Sequence, residues 1–346
     1  MRRLGAPALA LGLVAVTACG GKKKKPAAPP PEVTGLAAVP ASAVALVAAD
    51  VGKLGQSQLI ERAIDQLLLT DITLADRWAD VQTHCKIDPR TQLRHLMLAL
   101  GPPPAQTGSG PVLLVATGAV SETELVACIP KIVGTGAGGL TTKSVGGRSL
   151  YQVKDGNRVM FFAFGRPDTI VLGTQEAWVL DALGGGKKAL DNPELATWLD
   201  TVDQKSPLWA IGKVDPRVGQ GLVDASDATL TSPPQALVAT LDPRDGMKAD
   251  FRVLMASADQ AKQLESFAQK ELGLFTMAAQ LKSLGAIVAK LKVATEGSTV
   301  RFSATLTQAD VNQLLSVLDD KPAPEQGTPA PGAGVNPAPS TAGPGK

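Results

Sequence analysis

Aromatic residues make up only 3% of this 346-residue chain, which also holds two histidines and three cysteines. So few ring faces leave little on which a run of bases could stack, and this argues against a nucleic-acid surface. Both histidines, His84 and His95, lie in one twelve-residue segment, so a Ser-His-Asp or Cys-His site would have to be built there. No Gly-x-Ser-x-Gly elbow precedes a helix anywhere in the chain. An excess of one charge is missing too, with 34 Lys and Arg against 32 Asp and Glu. That balance conceals segregation: between Leu36 and Asp320 there are 26 basic and 30 acidic residues, a net charge of −4. Proline is also uneven, 12 of 26 lying before residue 32 or after residue 320. A weakly acidic body is therefore expected between two low-complexity ends that hold too few apolar residues to fold alone.

The ends carry the most specific signal. Met1-Arg2-Arg3 is a short basic start, Ala8 to Val16 is apolar, and Val16-Thr17-Ala18-Cys19 follows. This pattern predicts a secretory signal over residues 1–18, too short to span a bilayer as a helix. Val-Thr-Ala-Cys resembles the lipobox of bacterial lipoproteins, and the resemblance implies cleavage before Cys19 and acylation of that cysteine. Attachment through more than one acyl chain would hold stably in a membrane. By the same resemblance, Gly20 after the cysteine favours the outer membrane over the inner. Lys22, Lys23, Lys24 and Lys25 then lead into Pro26-Ala27-Ala28-Pro29-Pro30-Pro31. Residues 19–36 read as a stiff stalk whose lysines either contact anionic lipid or are simply solvated. The Pro, Ala and Gly of residues 321–346 read as a disordered tail.

Within the body, Val44 to Val51 is an apolar strand candidate, and Gln58 to Leu69 places Leu59, Ile60, Ala63, Ile64, Leu67 and Leu68 on one helical stripe. An apolar strand running into a capped helix then recurs. Ser121 with Glu124, Ser257 with Gln260, and Thr307 with Asp310 have capping-box spacing, and Thr174 heads a fourth unit without the acidic partner. The caps at 121 and 174 and at 257 and 307 are 53 and 50 residues apart. Between the members of each pair, Arg148 to Phe164 turns at Asp155-Gly156-Asn157, and Ile287 to Leu306 turns at Glu296-Gly297-Ser298. The apolar run Pro207 to Asp215 mirrors the one that opens the body. The expected fold is α+β in two similar halves, residues 37–200 and 201–320, each a mostly antiparallel sheet with helices on one face.

Asp50-Val51-Gly52-Lys53-Leu54 and Cys85-Lys86-Ile87-Asp88-Pro89, together with the lipobox and the Lys/Pro stalk, resemble uncharacterised exported lipoproteins of high-GC bacteria, the myxobacteria above all. The resemblance implies a duplicated α+β body and carries no activity.

Candidate chemistry is sparse. With Cys19 acylated, Cys85 and Cys128 are an even pair in an exported chain, and the compartment favours a disulfide closing a 43-residue interval. His84, Cys85, His95 and Cys128 lack the ligand spacing of a zinc site. Gly134-Thr135-Gly136-Ala137-Gly138-Gly139 follows a helix and lacks the Lys-Ser/Thr of a phosphate loop. Asp76 with Asp80, and Asp319 with Asp320, read as solvated carboxylates. Asp-Pro-Arg at Asp88, Asp215 and Asp242 reads as turn or helix-start chemistry. No catalytic residue, cofactor or metal is expected. The sequence favours a non-enzymatic envelope lipoprotein that binds or scaffolds an unknown envelope partner. The alternatives are a carrier of a lipid or other hydrophobic ligand, and a hydrolase with an unrecognised site.

Overall fold

The computed structural model describes residues 33–104, 110–133, 139–226, 229–280 and 284–319. Cys19, the four lysines, the proline run, residues 134–138 of the glycine-rich connector and the tail lie outside the described residues.

The chain is α+β, with one large antiparallel sheet. Strand β1 (Ala45–Asp50) passes through α1 (Val51–Leu54), α2 (Gln58–Thr70), α3 (Ile72–Asp80), a π turn at Val81–Cys85 and α4 (Pro89–Gln92) to β2 (Leu93–Leu100) and β3 (Val112–Gly118). Helix α5 (Glu122–Val133) leads to the meander β4 (Gly139–Val145), β5 (Arg148–Asp155), β6 (Arg158–Arg166) and β7 (Thr169–Gly173), then to α6 (Glu176–Leu183) and α7 (Pro193–Thr201). Next come β8 (Leu208–Lys213), α8 (Pro216–Ala225), β9 (Ala236–Asp242) and β10 (Met247–Leu254). Helices α9 (Ala258–Gln280) and α10 (Gly285–Val288), strands β11 (Lys292–Glu296) and β12 (Thr299–Leu306), and α11 (Gln308–Asp319) complete the body.

The two expected sheets are in fact one. Twelve strands run in the order β11-β12-β10-β9-β8-β1-β2-β3-β7-β6-β5-β4. The join is β1 against β8, antiparallel through Leu46↔Ile211 and Ala48↔Trp209. The order outward from the join is 8-9-10-12-11 on one side and 1-2-3-7-6 on the other, with β5 and β4 added at the far edge. Leu46, fully buried, lies at the join beside Ile211 and Ala99.

Helices cover both faces rather than one. Successive strand residues point to opposite faces, and each set has its own helix. Leu150, Ala163 and Val171 pack with Trp178 and Val179 of α6 and Leu195 and Leu199 of α7. Tyr151, Phe162 and Phe164 pack instead with Ile129 of α5. Across the join, Val238 continues the Leu46 row. Val253 and Val300, opposite each other and one step off that row, face the α5 side and pack with Ala261 and Leu264 of α9.

Several sequence expectations are refined. The body starts before residue 37, because Val33 is fully buried against Gly165, where a Cβ would come within 2.1 Å of Val33 Cγ2. Residues 33–36 thus belong to the body and not to the stalk. Ser121, Ser257 and Thr307 accept from the backbone N–H groups of Glu124, Gln260 and Asp310 at 3.5, 3.3 and 3.3 Å. The last closes reciprocally, since Asp310 accepts from the Thr307 N–H at 2.7 Å. Thr174 is not a cap: its hydroxyl accepts from the Val112 N–H at 3.0 Å, and α6 begins two residues later. Residues 287–291, expected in a strand, form the end of α10 and a turn instead. Gly156 and Gly297 take φ of +58° at the two expected hairpin turns, where a side chain would be strained.

Candidate functional site

On the α6 and α7 side of the sheet, antiparallel register sets one polar row across three neighbouring strands. Asp50 ends β1, His95 in β2 stands opposite it, and Thr117 in β3 stands opposite His95. His95 Nδ1 is 3.3 Å from the Thr117 hydroxyl, and His95 Nε2 is 3.9 Å from Asp50 Oδ2. The 3.9 Å gap is longer than a hydrogen bond. Asp50 is held more firmly by α1, which it caps by accepting from the Lys53 N–H at 3.1 Å, and Lys53 Nζ lies 2.8 Å from its other oxygen.

Burial raises the Asp50 carboxyl, but the hydrogen bonds from Lys53 and the charges of Lys53 and His95 outweigh it and leave the group below the usual carboxylate range. The row lines a half-open cleft of about 450 Å³ whose apolar wall includes Met97, Val115 and Trp209, and which Gln204 and Ser206 also line. His95 itself is 65% exposed. Acid, base and hydroxyl are adjacent, yet the carboxylate is committed to Lys53 and the imidazole is open to water. The arrangement is suited to holding a polar group at the cleft mouth.

A second polar cluster lies on the same face. Asp250 accepts from Arg252 Nε at 2.8 Å and from Arg301 Nε at 2.5 Å, and Arg252 also donates to the Thr201 carbonyl at 3.0 Å. The signal in the sequence is Asp250-Phe251-Arg252, since Asp-x-Arg within a strand puts both side chains on one face. At the opposite end of the strands, Ala45, Leu100, Pro102, Trp198, Pro233 and Leu254 line a mainly apolar groove of about 1120 Å³. Lys213 with Glu194 (2.7 Å) and Arg217 with Asp215 (2.6 Å) form ion pairs around this groove.

The other candidates separate from one another. Cys85 and Cys128 form a disulfide, with Cα atoms 5.0 Å apart, tying the π turn to α5. His84 beside it is exposed, 4.0 Å from Asp80 one turn earlier, while His95 belongs to the Asp50 cleft. The four residues weighed as zinc ligands are therefore dispersed over two places. Among the described residues no group of three or more His, Cys, Asp or Glu is placed to hold a metal ion. Asp88, Asp215 and Asp242 each accept from the N–H of the arginine two residues on, at 3.0, 2.8 and 3.2 Å. Arg217 and Arg244 fold back onto Asp215 and Asp242, and the carboxyls of both aspartates are lowered to about 2, chiefly by those side-chain hydrogen bonds. Turn chemistry accounts for these motifs. Gly139, read as part of the connector, begins β4.

No family model matches the chain, and no curated protein matches it in sequence. Among solved structures it is similar to TP0453 in its crystal form I, at 12% identity over 83% of this chain and 98% of that one, with a TM-score of 0.48. A likeness this distant carries nothing about what the chain does.

Proposed function

We propose that the protein is a lipoprotein of a bacterial cell envelope, acylated at Cys19, whose body binds or scaffolds an envelope partner rather than catalysing a reaction. The bridge between Cys85 and Cys128 is the observation that carries this reading. A buried disulfide belongs with an oxidising compartment, and an exported chain reaches one. The lipobox-like Val16-Thr17-Ala18-Cys19 supplies the route and the anchor. The cleft supports the non-catalytic half, since its aspartate is engaged by Lys53 and its histidine lies 3.9 Å from that aspartate.

The test is metabolic labelling of the full-length chain with a clickable palmitate analogue in a bacterial host, followed by membrane fractionation. Label and membrane association are expected in the wild type and are expected to disappear in Cys19→Ser. Unlabelled wild-type protein in the soluble fraction would overturn the anchor. A density gradient of the membranes then separates outer from inner, with Gly20 favouring the outer.

The apolar groove of about 1120 Å³ favours a second reading, a carrier of a lipid or other hydrophobic ligand. Native mass spectrometry of protein extracted from its host membrane is expected under this reading to show a co-purified apolar ligand. Bare protein mass in every preparation would refute it.

A further inference from the structure

The twelve-stranded sheet is open, and its two edges are built differently. The β11 edge is five residues long, carries Lys292 and Glu296 at its ends, and is packed by α9, whose Glu265 accepts from the Thr295 hydroxyl at 2.7 Å. Brevity, charge and a covering helix are ways of preventing a strand edge from pairing with another chain. The β4 edge also has a helix beside it, since Leu140 packs with Ile129 of α5, but it is longer, and among the described residues no strand pairs with its outer side. Its seven residues pair without a bulge to β5, from Gly139↔Lys154 to Val145↔Arg148. The strand contains no proline, and Thr141 to Val145 are all exposed. Its one charge, on Lys143, is turned onto Glu176 of α6 and does not guard the edge.

We propose that β4 is a self-pairing edge, through which two copies of the chain join antiparallel about a twofold axis and continue one sheet into the next. The strand is complementary to itself. A twofold axis through Thr142 pairs all seven residues: Gly139 with Val145, Leu140 with Ser144, Thr141 with Lys143, and Thr142 with its own copy. Each Lys143 then faces a threonine instead of the other lysine, and two β-branched Thr142 side chains stand opposite each other, a favourable cross-strand pair. Such a contact uses the same patch on both copies and closes at two. It is made of main-chain hydrogen bonds with little apolar area, which puts it among small interfaces.

The proposal is tested on the full-length chain carrying Cys19→Ser, so that the result does not depend on acylation. In that background Thr142→Cys is expected to form a disulfide-linked dimer on mild oxidation, because directly opposed strand residues lie within bridging distance. Thr141→Cys, whose partner is Lys143, is expected to crosslink at least tenfold more slowly. Sedimentation over a concentration series is expected to show a monomer–dimer equilibrium, and Thr142→Lys is expected to raise its dissociation constant at least tenfold. Thr142 is exposed, so the variants are expected to keep the parent melting temperature, which is checked first. Equal crosslinking of the two cysteine variants overturns the proposal, as does a dimer that Thr142→Lys leaves intact. A chain that stays monomeric and uncrosslinked also overturns it and redirects the edge to a different protein.

Discussion

Removing the bridge between Cys85 and Cys128 tests how the α2–α4 segment is held to the body. Both cysteines are buried, 6% and 3% exposed, in a small cluster with Ile87 and partly buried Val81, Leu125 and Ile132. The bridge closes 43 residues. In the chain-entropy description a loop of that length removes about 4 kcal/mol of conformational freedom from the unfolded state. For a folded body of roughly 290 residues, unfolding entropy near 2.1 cal/mol/K per residue sums to about 0.6 kcal/mol/K, so the loss lowers the melting temperature by about 6 °C. Calorimetry of Cys85→Ala/Cys128→Ala against wild type, each with and without reductant, separates two contributions. Reducing the wild type frees the loop but keeps both sulfur atoms, so its fall measures the loop constraint. Any further fall in the double variant measures the space the sulfurs leave. Reductant is expected to change only the wild type. Alkylation of both cysteines without reductant would show that the bridge does not exist. A reduced wild type, shown by alkylation to carry two thiols yet melting within about 1 °C of the oxidised form, would refute the loop-closure reasoning.

Other perturbations address the join and the acid side of the stability curve. Leu46→Ala empties a fully buried site where β1 meets β8 and is expected to cost about 3 kcal/mol. Because the sheet is continuous there, a single unfolding transition should shift as a whole; two transitions, only one of them shifted, would show that the strands on either side of the join unfold independently. Asp310 is held at about 2, first by its hydrogen bond with Lys290 and then by those with Thr307. Its folded value lies below the ordinary 3.8, so the stability it contributes is present above that value and is lost as pH falls toward 2. The gap in melting temperature between wild type and Asp310→Asn is therefore expected to be open at pH 6 and to close toward pH 2. A gap of constant size would assign the effect to the lost cap geometry rather than to charge.

Local structure was legible in the sequence wherever one short-range cause decides it. Ser121, Ser257 and Thr307 lead their helices because a side-chain oxygen satisfies an otherwise free N–H, and Gly156 and Gly297 mark hairpins because only glycine takes their φ without strain. Thr174 shows the limit: the same hydroxyl serves equally well at a strand end, and Val112, 62 residues away, claims it. The helical stripe of α2 was correctly periodic, yet none of its residues is buried and Leu67 is 53% exposed, because periodicity says which side is apolar and not whether anything covers it. Helices on both faces escaped notice for a related reason. In β5 and β6 both alternating sets are apolar, Leu150 and Ala163 on one face, Tyr151 and Phe162 on the other. The Asp50, His95 and Thr117 row was not legible at all. It depends on the register between three strands, and the middle one, β2, carries no strand signal among those read from the sequence.

The place of β1 also sets an order of assembly. One side of that strand is completed by β2, which follows after helices α1 to α4, but the other waits for β8, whose Trp209 pairs with Ala48. A chain is synthesised from its N-terminus, so this strand from the middle of the finished sheet is made before β8 and has a bare apolar edge in the meantime. Non-local pairing of this kind slows folding. The interval between the arrival of β1 and that of β8 is thus when the protein is most open to aggregation.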